Sequence, residues 1–150
     1  MIVLSKRRLY VLSILLLLCG CGLPRIIVLD DPLTPEEHLN LGVSYEKKGE
    51  HDAALKEYKI ASRHLSAAYL YAGNVYFAQG DPDNAEENYR KALERDPRNA
   101  DACNNLAWLY YTYGKDLLEA ERLALRALEL NPAKAGVYQD TLQKIREKKQ

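Results

Sequence analysis

The chain has 150 residues, with 21 basic and 21 acidic side chains and a formal net charge of zero, which favours one modest domain. Because the basic residues form no stripe and are matched by acids, the sequence gives no electrostatic reason to expect a nucleic-acid partner. The first 20 residues contain three cations and no acid, so the remainder is slightly acidic, which disfavours binding to an anionic surface.

The N-terminus has the pattern of an export signal. Lys6, Arg7 and Arg8 form a charged segment that precedes an apolar run over residues 9–18. At a rise of about 1.5 Å per residue this run is too short to cross roughly 30 Å of hydrocarbon. A signal peptide is therefore favoured over a permanent membrane span.

The end of this segment, Leu18-Cys19-Gly20-Cys21, resembles a bacterial lipoprotein signal. In that family a small residue precedes the cysteine that is lipidated and becomes the new N-terminus. Cys21 fits this role because Gly20 precedes it, whereas Cys19 fits poorly because Leu18 is large. The resemblance implies that residues 1–20 are removed and that acyl chains on Cys21 anchor the protein to a membrane. A plain signal peptide and an uncleaved anchor are the alternatives.

Lipidation at Cys21 has consequences for location and for thiol chemistry. The resemblance further implies that Gly22, in place of Asp, permits transfer to an outer membrane if the organism has one, so we expect a lipoprotein on its periplasmic face. Removal of Cys19 and modification of Cys21 would leave only Cys103 free, so no intramolecular disulfide is expected. Cys103 itself is predicted to be a small buried hydrophobe rather than a reactive thiol.

Residues 21–33 are predicted to be the lipidated N-terminus and a tether. They include four consecutive aliphatic residues at 26–29, which is unusual for a free tether because apolar surface would be left in water. This run can pack along the first helix pair or lie near the lipid. It can also serve as a β-strand offered to the sheet edge of a partner, and the sequence leaves these alternatives open.

A helical hairpin is predicted from Thr34. Thr34 and Glu37 form a capping-box pattern around Pro35, and Gly49 ends the helix after Lys48. The partner helix is predicted to begin at Asp52. One face of that helix should carry Ala53, Ala54, Leu55, Tyr58 and Ala61.

The same pattern occurs three times along the chain. The second copy reads Tyr69-x-x-Ala72-Gly73-x-x-Tyr76, followed by Ala85-x-x-x-Tyr89 and Pro97. The separation between Gly73 and Ala107 of the third copy is 34 residues (107 − 73). The separation between Gly42 of the first copy and Gly73 is 31 residues (73 − 42). The first copy reads His38-x-x-Leu41-Gly42-x-x-Tyr45 and Ala54-x-x-x-Tyr58, and the third Cys103-x-x-Leu106-Ala107-x-x-Tyr110, Ala120-x-x-x-Ala124 and Pro132.

This pattern resembles the tetratricopeptide repeat, whose period is about 34 residues. The resemblance implies an all-α fold, an α-solenoid of three helix hairpins over residues 34–132 with units at 34–65, 66–99 and 100–132. A capping helix and tail follow at 133–150. In the second unit, Ser66 is expected to cap the first helix and Asp81-Pro82 to start the second. Gly80 and Gly114 are expected to end the first helices of the second and third units. The second helix of the third unit is expected to run from about Asp116 to Leu130.

Side-chain sizes predict how the helices pack. Gly42, Gly73 and Ala107 are small, which indicates close approach of the two helices of each pair. We expect tyrosines to fill the adjacent gap and alanines of the opposite helix to receive them: Tyr45 with Ala54, Tyr76 with Ala85, and Tyr110 with Ala120. The last helix, roughly Ala135 to Lys148, should bury Val137, Tyr138, Leu142 and Ile145.

No catalytic residue, cofactor or metal is expected from the sequence. It contains no Gly-rich phosphate loop, no paired-cysteine metal spacing and no Ser/His/Asp context. His38, His51 and His64 lie at equal intervals of 13 residues (51 − 38 and 64 − 51), but they fall on a first helix, a turn and the end of a second helix. They should not converge on a metal ion, and an enzyme is not expected.

The resemblance implies a concave groove formed by first-helix residues that point away from the partner helix. Aromatic anchors with asparagines suit an extended peptide or an amphipathic helix of an unidentified protein partner. Trp108 is expected either in the groove or in a core under the last helix. The candidate groove residues are Leu39, Val43, Leu70, Asn74, Phe77, Asn104, Trp108 and Tyr111, with Glu46, Lys47, Tyr71 and Asn105 on the same side.

A subtype of the family clamps the C-terminal carboxylates of a partner with Lys, Arg and Asn. Asn74 and Asn105 match that pattern, but the accompanying Lys and Arg are absent, so this mode is not expected. The hypothesis from the sequence is a membrane-anchored interaction module that acts in assembly of a cell-envelope complex. The alternative is a permanent structural or accessory subunit of such a complex.

Overall fold

The computed structural model describes residues 31–150. The predictions for the signal peptide, for lipidation of Cys21 and for the aliphatic run at 26–29 concern positions outside the described residues. Within 31–150 every regular element is helical. The helices are α1 (Pro35–Lys47), α2 (His51–Ala61), α3 (Ala67–Ala78), α4 (Pro82–Arg95), α5 (Ala100–Tyr113), α6 (Leu117–Leu130) and α7 (Ala135–Lys148), with a 3₁₀ turn at Pro132–Lys134.

The helices pack in sequential pairs. α1 packs on α2, α3 on α4 and α5 on α6, while α4 also contacts α5 and α2 contacts α3, so that each pair touches the next. The last helix, α7, packs on both α5 and α6. Among the described helices, none is both long enough and apolar enough to span a membrane.

The helix ends follow the sequence closely in most places. The predicted capping box is present, because the Thr34 backbone N–H donates to Glu37 Oε2 at 2.8 Å and the Glu37 N–H donates to Thr34 Oγ1 at 3.2 Å. Gly49, Gly80 and Gly114 follow α1, α3 and α5 with φ of +77°, +75° and +62°, which is the left-handed conformation that glycine adopts without strain.

Two predicted helix starts are wrong in detail. α2 begins at His51, one residue before Asp52, and its N-terminus has no side-chain cap. Ser66 precedes α3 but makes no capping hydrogen bond, because its φ and ψ of −61° and −33° are already helical. A capping side chain needs an extended backbone to reach the free N–H groups, and the short connection after α2 does not provide it.

The two glycine positions show the close approach that the sequence predicts, but with a different tyrosine. A Cβ added to Gly42 would lie 2.4 Å from Tyr58 Cε1, and one added to Gly73 would lie 2.5 Å from Tyr89 Cε1. The ring over each glycine therefore comes from the second helix of the pair. The prediction that Tyr45 and Tyr76 fill this gap is wrong: each lies one turn beyond its glycine and is only partly buried.

The third pair replaces this glycine–tyrosine contact with two small residues. Ala107 and Ala124 occupy the corresponding positions, and both are fully buried in the core cluster that extends from α4 to α7. Tyr110 is also buried there, as predicted, at 3% exposure. A smaller cluster joins Ala54 and Tyr58 of α2 to Ala72 and Val75 of α3, and so lies between the first pair and the second.

The capping helix α7 has the bounds that the sequence predicts. Tyr138, Leu142 and Ile145 are buried, but Val137 is 62% exposed, so its assignment to the inner face is wrong. Thr141 is buried in its place. The buried positions 138, 141, 142 and 145 have the same spacing as the first-helix pattern at 69, 72, 73 and 76, so α7 packs as the first helix of a fourth unit would.

Candidate functional site

The predicted groove residues come from three successive first helices, α1, α3 and α5. Leu39 and Val43 are partly buried against the smaller cluster, and Leu70, Phe77 and Tyr111 against the larger core. Seven of the eight candidates keep partial exposure, whereas Asn104 is 6% exposed. The assignment of Asn104 to the groove surface is therefore corrected: it lies in the interior.

Asn74 holds three helices together at the centre of this surface. Its Oδ1 accepts a hydrogen bond from the Tyr89 hydroxyl of α4 at 3.0 Å and another from Asn105 Nδ2 of α5 at 2.8 Å. Burial raises the pKa of the Tyr89 hydroxyl, so it stays protonated and keeps donating at neutral pH. The Asn74 NH₂ group takes no part in these two bonds, and it is a donor that could meet the backbone carbonyl of a bound peptide.

Aromatic rings cluster toward the α5 end of the surface. The rings of Trp108 and Tyr111 are 5.0 Å apart between centroids, and Phe77 meets Tyr113 edge-on at 6.2 Å. Tyr113 is 41% exposed. Aromatic residues that are partly exposed and grouped in this way are typical anchors for a bound chain.

Two lysines of α7 border these rings, and the sequence pattern of the first helices did not predict them. Lys144 Nζ lies 5.0 Å from the centroid of the Trp108 ring, and Lys148 Nζ lies 4.9 Å from that of Tyr111. Lys148 also donates to the Tyr111 backbone carbonyl at 2.6 Å. Trp108 is thus partly exposed and flanked by the last helix. Lys144 and Lys148 are cations of α7 beside this surface, and the first-helix spacing of α7 is the signal that could have revealed them.

The strongest polar cluster is structural. Glu86 of α4 accepts from the Tyr110 hydroxyl at 2.7 Å, from Lys115 Nζ at 2.8 Å and from Arg90 Nε at 3.0 Å. Burial opposes ionisation of Glu86, but these donors outweigh it and lower its pKa to about 2. The cluster joins the second pair to the third and leaves no reactive group free.

The other titratable candidates have structural surroundings. His38 is buried with Nδ1 at 2.6 Å from Glu57 Oε2. His51 starts α2, and His64 lies exposed in the turn after it, so the three histidines do not converge. Cys103 is fully buried, and burial raises the pKa of its thiol, as befits a small core residue. Within residues 31–150 no group of three or more His, Cys, Asp or Glu side chains could hold a metal ion.

Comparison with known sequences supports the repeat pattern. Tetratricopeptide repeat family profiles match residues 66–99 and residues 88–122. The chain is 32% identical over 108 residues to protein bimA of Emericella nidulans, a match that covers 70% of this chain and 13% of that protein. It is 39% identical over 83 residues to the uncharacterized protein ycf37 of Pyropia yezoensis, covering 52% and 46%. The chain therefore matches less than half the length of these relatives.

Comparison with solved structures establishes the fold. The first tetratricopeptide domain of Spaghetti (RPAP3), solved with an HSP90 peptide, superposes with a TM-score of 0.70 at 21% identity, covering 78% of this chain and 94% of that chain. The type III secretion chaperone SycD of Yersinia enterocolitica, in complex with a peptide of the translocator YopD, gives 0.68 at 22% identity, covering 77% and 94%. The predicted tetratricopeptide α-solenoid is confirmed.

Proposed function

We propose that this chain is a protein-interaction module that presents the groove of α1, α3 and α5 to a peptide or helix of a partner protein. The observation that carries the proposal is the row of partly exposed apolar side chains from three successive first helices. Two of the similar solved structures hold a peptide, which supports the same use here. The members of the row are Leu39, Val43, Leu70, Phe77, Trp108 and Tyr111.

The groove differs in chemistry between its two ends, and this sets the expected ligand. Leu39 and Val43 make the α1 end apolar, whereas the α5 end has two lysines of α7 above aromatic rings. Of these lysines, Lys144 is paired with Asp140 at 2.6 Å. A ligand that fits both ends carries apolar side chains toward α1 and α3 and a carboxylate or carbonyl group toward α7. Asn74 lies between the two ends and offers a donor to the ligand backbone.

We further propose that the module is a lipoprotein held at a membrane through acyl chains on Cys21, on the periplasmic face of an outer membrane where the organism has one. The support is the sequence pattern at residues 18–21. Acyl chains contribute about 0.8 kcal/mol per buried CH₂ group, so more than one chain gives stable attachment. In this setting the partner would be another component of a cell-envelope complex.

Site-specific photo-crosslinking tests the groove. A photoreactive residue at Leu70 should give a defined adduct with one partner in membranes, which mass spectrometry identifies. The double variant Phe77→Ala with Tyr111→Ala should lose most of this adduct while its circular dichroism spectrum stays helical. A matched control, Leu118→Ala with Leu125→Ala, removes two exposed apolar residues of α6 and should leave the adduct intact. An adduct of equal yield in both double variants contradicts the proposal.

Fractionation tests the anchor independently of the groove. Cys21→Ser should release the protein from the membrane fraction, and mass spectrometry of the native protein should show an acylated N-terminal cysteine at position 21. If the variant sediments with membranes as the native protein does, or if the native protein carries no acyl group, the lipoprotein proposal is wrong and the groove proposal is unaffected.

A further inference from the structure

A second open surface lies between the first two helix pairs, on the side formed by the second helices. It is a cleft of about 720 Å³ between α2, α3 and α4, a volume within the usual range for binding sites. None of its lining residues belongs to the candidate groove set. α3 contributes Tyr69 and Tyr76 to this cleft, whereas it contributes Leu70, Asn74 and Phe77 to the groove.

The cleft exists because the first unit is short. α2 has 11 residues, whereas α4 and α6 have 14 each, so α2 ends about one turn early. At the corresponding junction between the second and third pairs, Glu86 accepts a hydrogen bond from the Tyr110 hydroxyl and joins the two pairs. Here Leu55 and Tyr76 occupy those two positions, and both line the open cleft.

The cleft is cationic in a chain that has no net charge. Four cations line it against two carboxylates, and one of these carboxylates, Glu87, is paired with Lys91 at 2.5 Å. The other three cations, Lys56, Lys59 and Arg63, are spaced so that they follow one side of α2 and the turn after it. In the described part of the chain no carboxylate lies within salt-bridge distance of these three.

The remaining walls suit a peptide. Tyr69 and Tyr76 contribute aromatic surface. Asn84 and Asn88 of α4 line the cleft with amide groups, whose Nδ2 atoms also donate to Asp81 Oδ2 at 2.7 Å and to the Asn84 backbone carbonyl at 2.8 Å. Aromatic rings contact the apolar parts of an extended peptide, while amide groups form hydrogen bonds with its backbone. The cleft therefore combines contacts for a peptide backbone with unpaired cations along one edge.

We propose that this cleft is a second docking site, which binds an acidic, extended segment of a partner protein. An acidic segment is favoured because its carboxylates are complementary in charge to Lys56, Lys59 and Arg63. A nucleic acid is disfavoured, because its evenly spaced phosphates would also meet the carboxylates of Asp52 and Glu87. The site does not depend on the groove, so the chain would hold two partners, or two parts of one partner, at the same time.

A peptide-binding measurement tests the site directly. The probe is a fluorescein-labelled decapeptide in which Asp and Glu alternate with Ala and Leu, and binding to the full chain is followed by anisotropy. At low ionic strength the acidic peptide should bind about tenfold more tightly than its counterpart with Asn and Gln. Binding should weaken as salt is added, because the Debye length falls to about 3 Å at 1 M.

Charge-reversal variants locate the binding. Lys59→Glu with Arg63→Glu should weaken binding of the acidic peptide by about tenfold. The matched control is Lys48→Glu with Arg98→Glu, which makes the same change in net charge. Lys48 directly follows α1, and Arg98 follows α4 as Arg63 follows α2; Lys48, Arg98, Lys59 and Arg63 are all exposed. The control should weaken binding by less than about twofold.

These measurements decide whether the acidic peptide occupies the cleft. Equal weakening by both double variants, or equal affinity for the acidic and amide peptides, overturns the proposal. So does displacement of the peptide by an oligothymidine at equal concentration, which would indicate a general polyanion site. Persistence of peptide binding in Phe77→Ala with Tyr111→Ala supports the cleft, whereas loss in that variant places the acidic peptide in the groove and overturns the proposal.

Discussion

The two junctions between helix pairs are built from corresponding positions but differ in what fills them. At the second junction Glu86 binds Tyr110, Lys115 and Arg90, and Tyr110 is 3% exposed. The corresponding positions at the first junction are Leu55, Tyr76, Asp81 and Lys59. No such cluster can form there, because the carboxylate is replaced by an aliphatic side chain and the lysine by an acid.

This difference teaches that the repeat pattern determines each hairpin but leaves the junctions free to vary. The signature positions place small residues between paired helices, and they do so in every unit. The contacts between units depend on other positions and on connection length. Because stability in such an array is a sum of unit and neighbour terms, a junction can be weakened or opened without loss of the fold.

The largest expected effect concerns the close contact between the two helices of a pair, which the repeat pattern determines. Gly73→Leu places a side chain where even a Cβ would lie 2.5 Å from the Tyr89 ring. Overpacking of this kind costs about 3 kcal/mol, which should lower the thermal midpoint by roughly 10 °C or more. Gly136→Leu on α7 is the control, since a Cβ there meets nothing within 4 Å. Equal melting temperatures measured by circular dichroism would show that the hairpin contact is not tight.

The second prediction breaks the closed junction. Glu86→Gln removes the charge that three donors share, and we expect the free energy of unfolding to fall by about 2 kcal/mol in urea titrations. Glu87→Gln changes the neighbouring, mostly exposed carboxylate and should cost less than about 0.5 kcal/mol. Similar costs for the two variants would contradict the importance of the cluster.

The same glutamate predicts a pH dependence. The pKa of Glu86 is lowered to about 2 in the folded chain from an ordinary value of 4.5. A depressed pKa stabilises the fold fully above the unfolded value, so this contribution should be lost progressively as the pH falls from about 4.5 to about 2. Glu86→Gln should lose less stability than the native chain over that interval. An identical pH profile for both proteins would contradict the assignment.

The smallest expected effect comes from removing one tyrosine hydroxyl at each of the two junctions. Tyr110→Phe removes the hydroxyl that donates to Glu86 and accepts from Arg90 at 2.6 Å, so we expect a loss of about 1 kcal/mol. Tyr76→Phe removes the corresponding hydroxyl at the edge of the open cleft and should change stability by less than about 0.5 kcal/mol. If urea denaturation gives the same loss for both, the junctions do not differ in the way described.

Much of the fold could be predicted from the sequence because its determinants are local or periodic. The capping box at Thr34, the glycines after α1, α3 and α5, and the 34-residue period are readable without tertiary information. The prediction for the tyrosine over each glycine named the wrong helix. Spacing identifies which residues face the partner helix, but only packing decides which of two nearby rings reaches the gap.

The site was less predictable for a similar reason. The partly exposed row of α1 and α3 follows from helix geometry, but the burial of Asn104 is set by tertiary packing, and the position of Lys144 over Trp108 depends on how α7 docks. The sequence predicted α7 as a capping helix with a buried face but not as a helix with first-helix spacing. The cleft between α2 and α4 was not predicted at all, since it arises from three missing residues rather than from a motif.

The position of Trp108 has a practical consequence. It is the only tryptophan in the chain, it is partly exposed among the candidate groove residues, and an ammonium group of α7 lies 5.0 Å from the centroid of its ring. Its emission spectrum is therefore a built-in optical reporter. Undocking of the last helix would remove the neighbouring charge, and binding of an apolar ligand would remove water from around the ring. Each event would therefore shift the wavelength of fluorescence without any added dye.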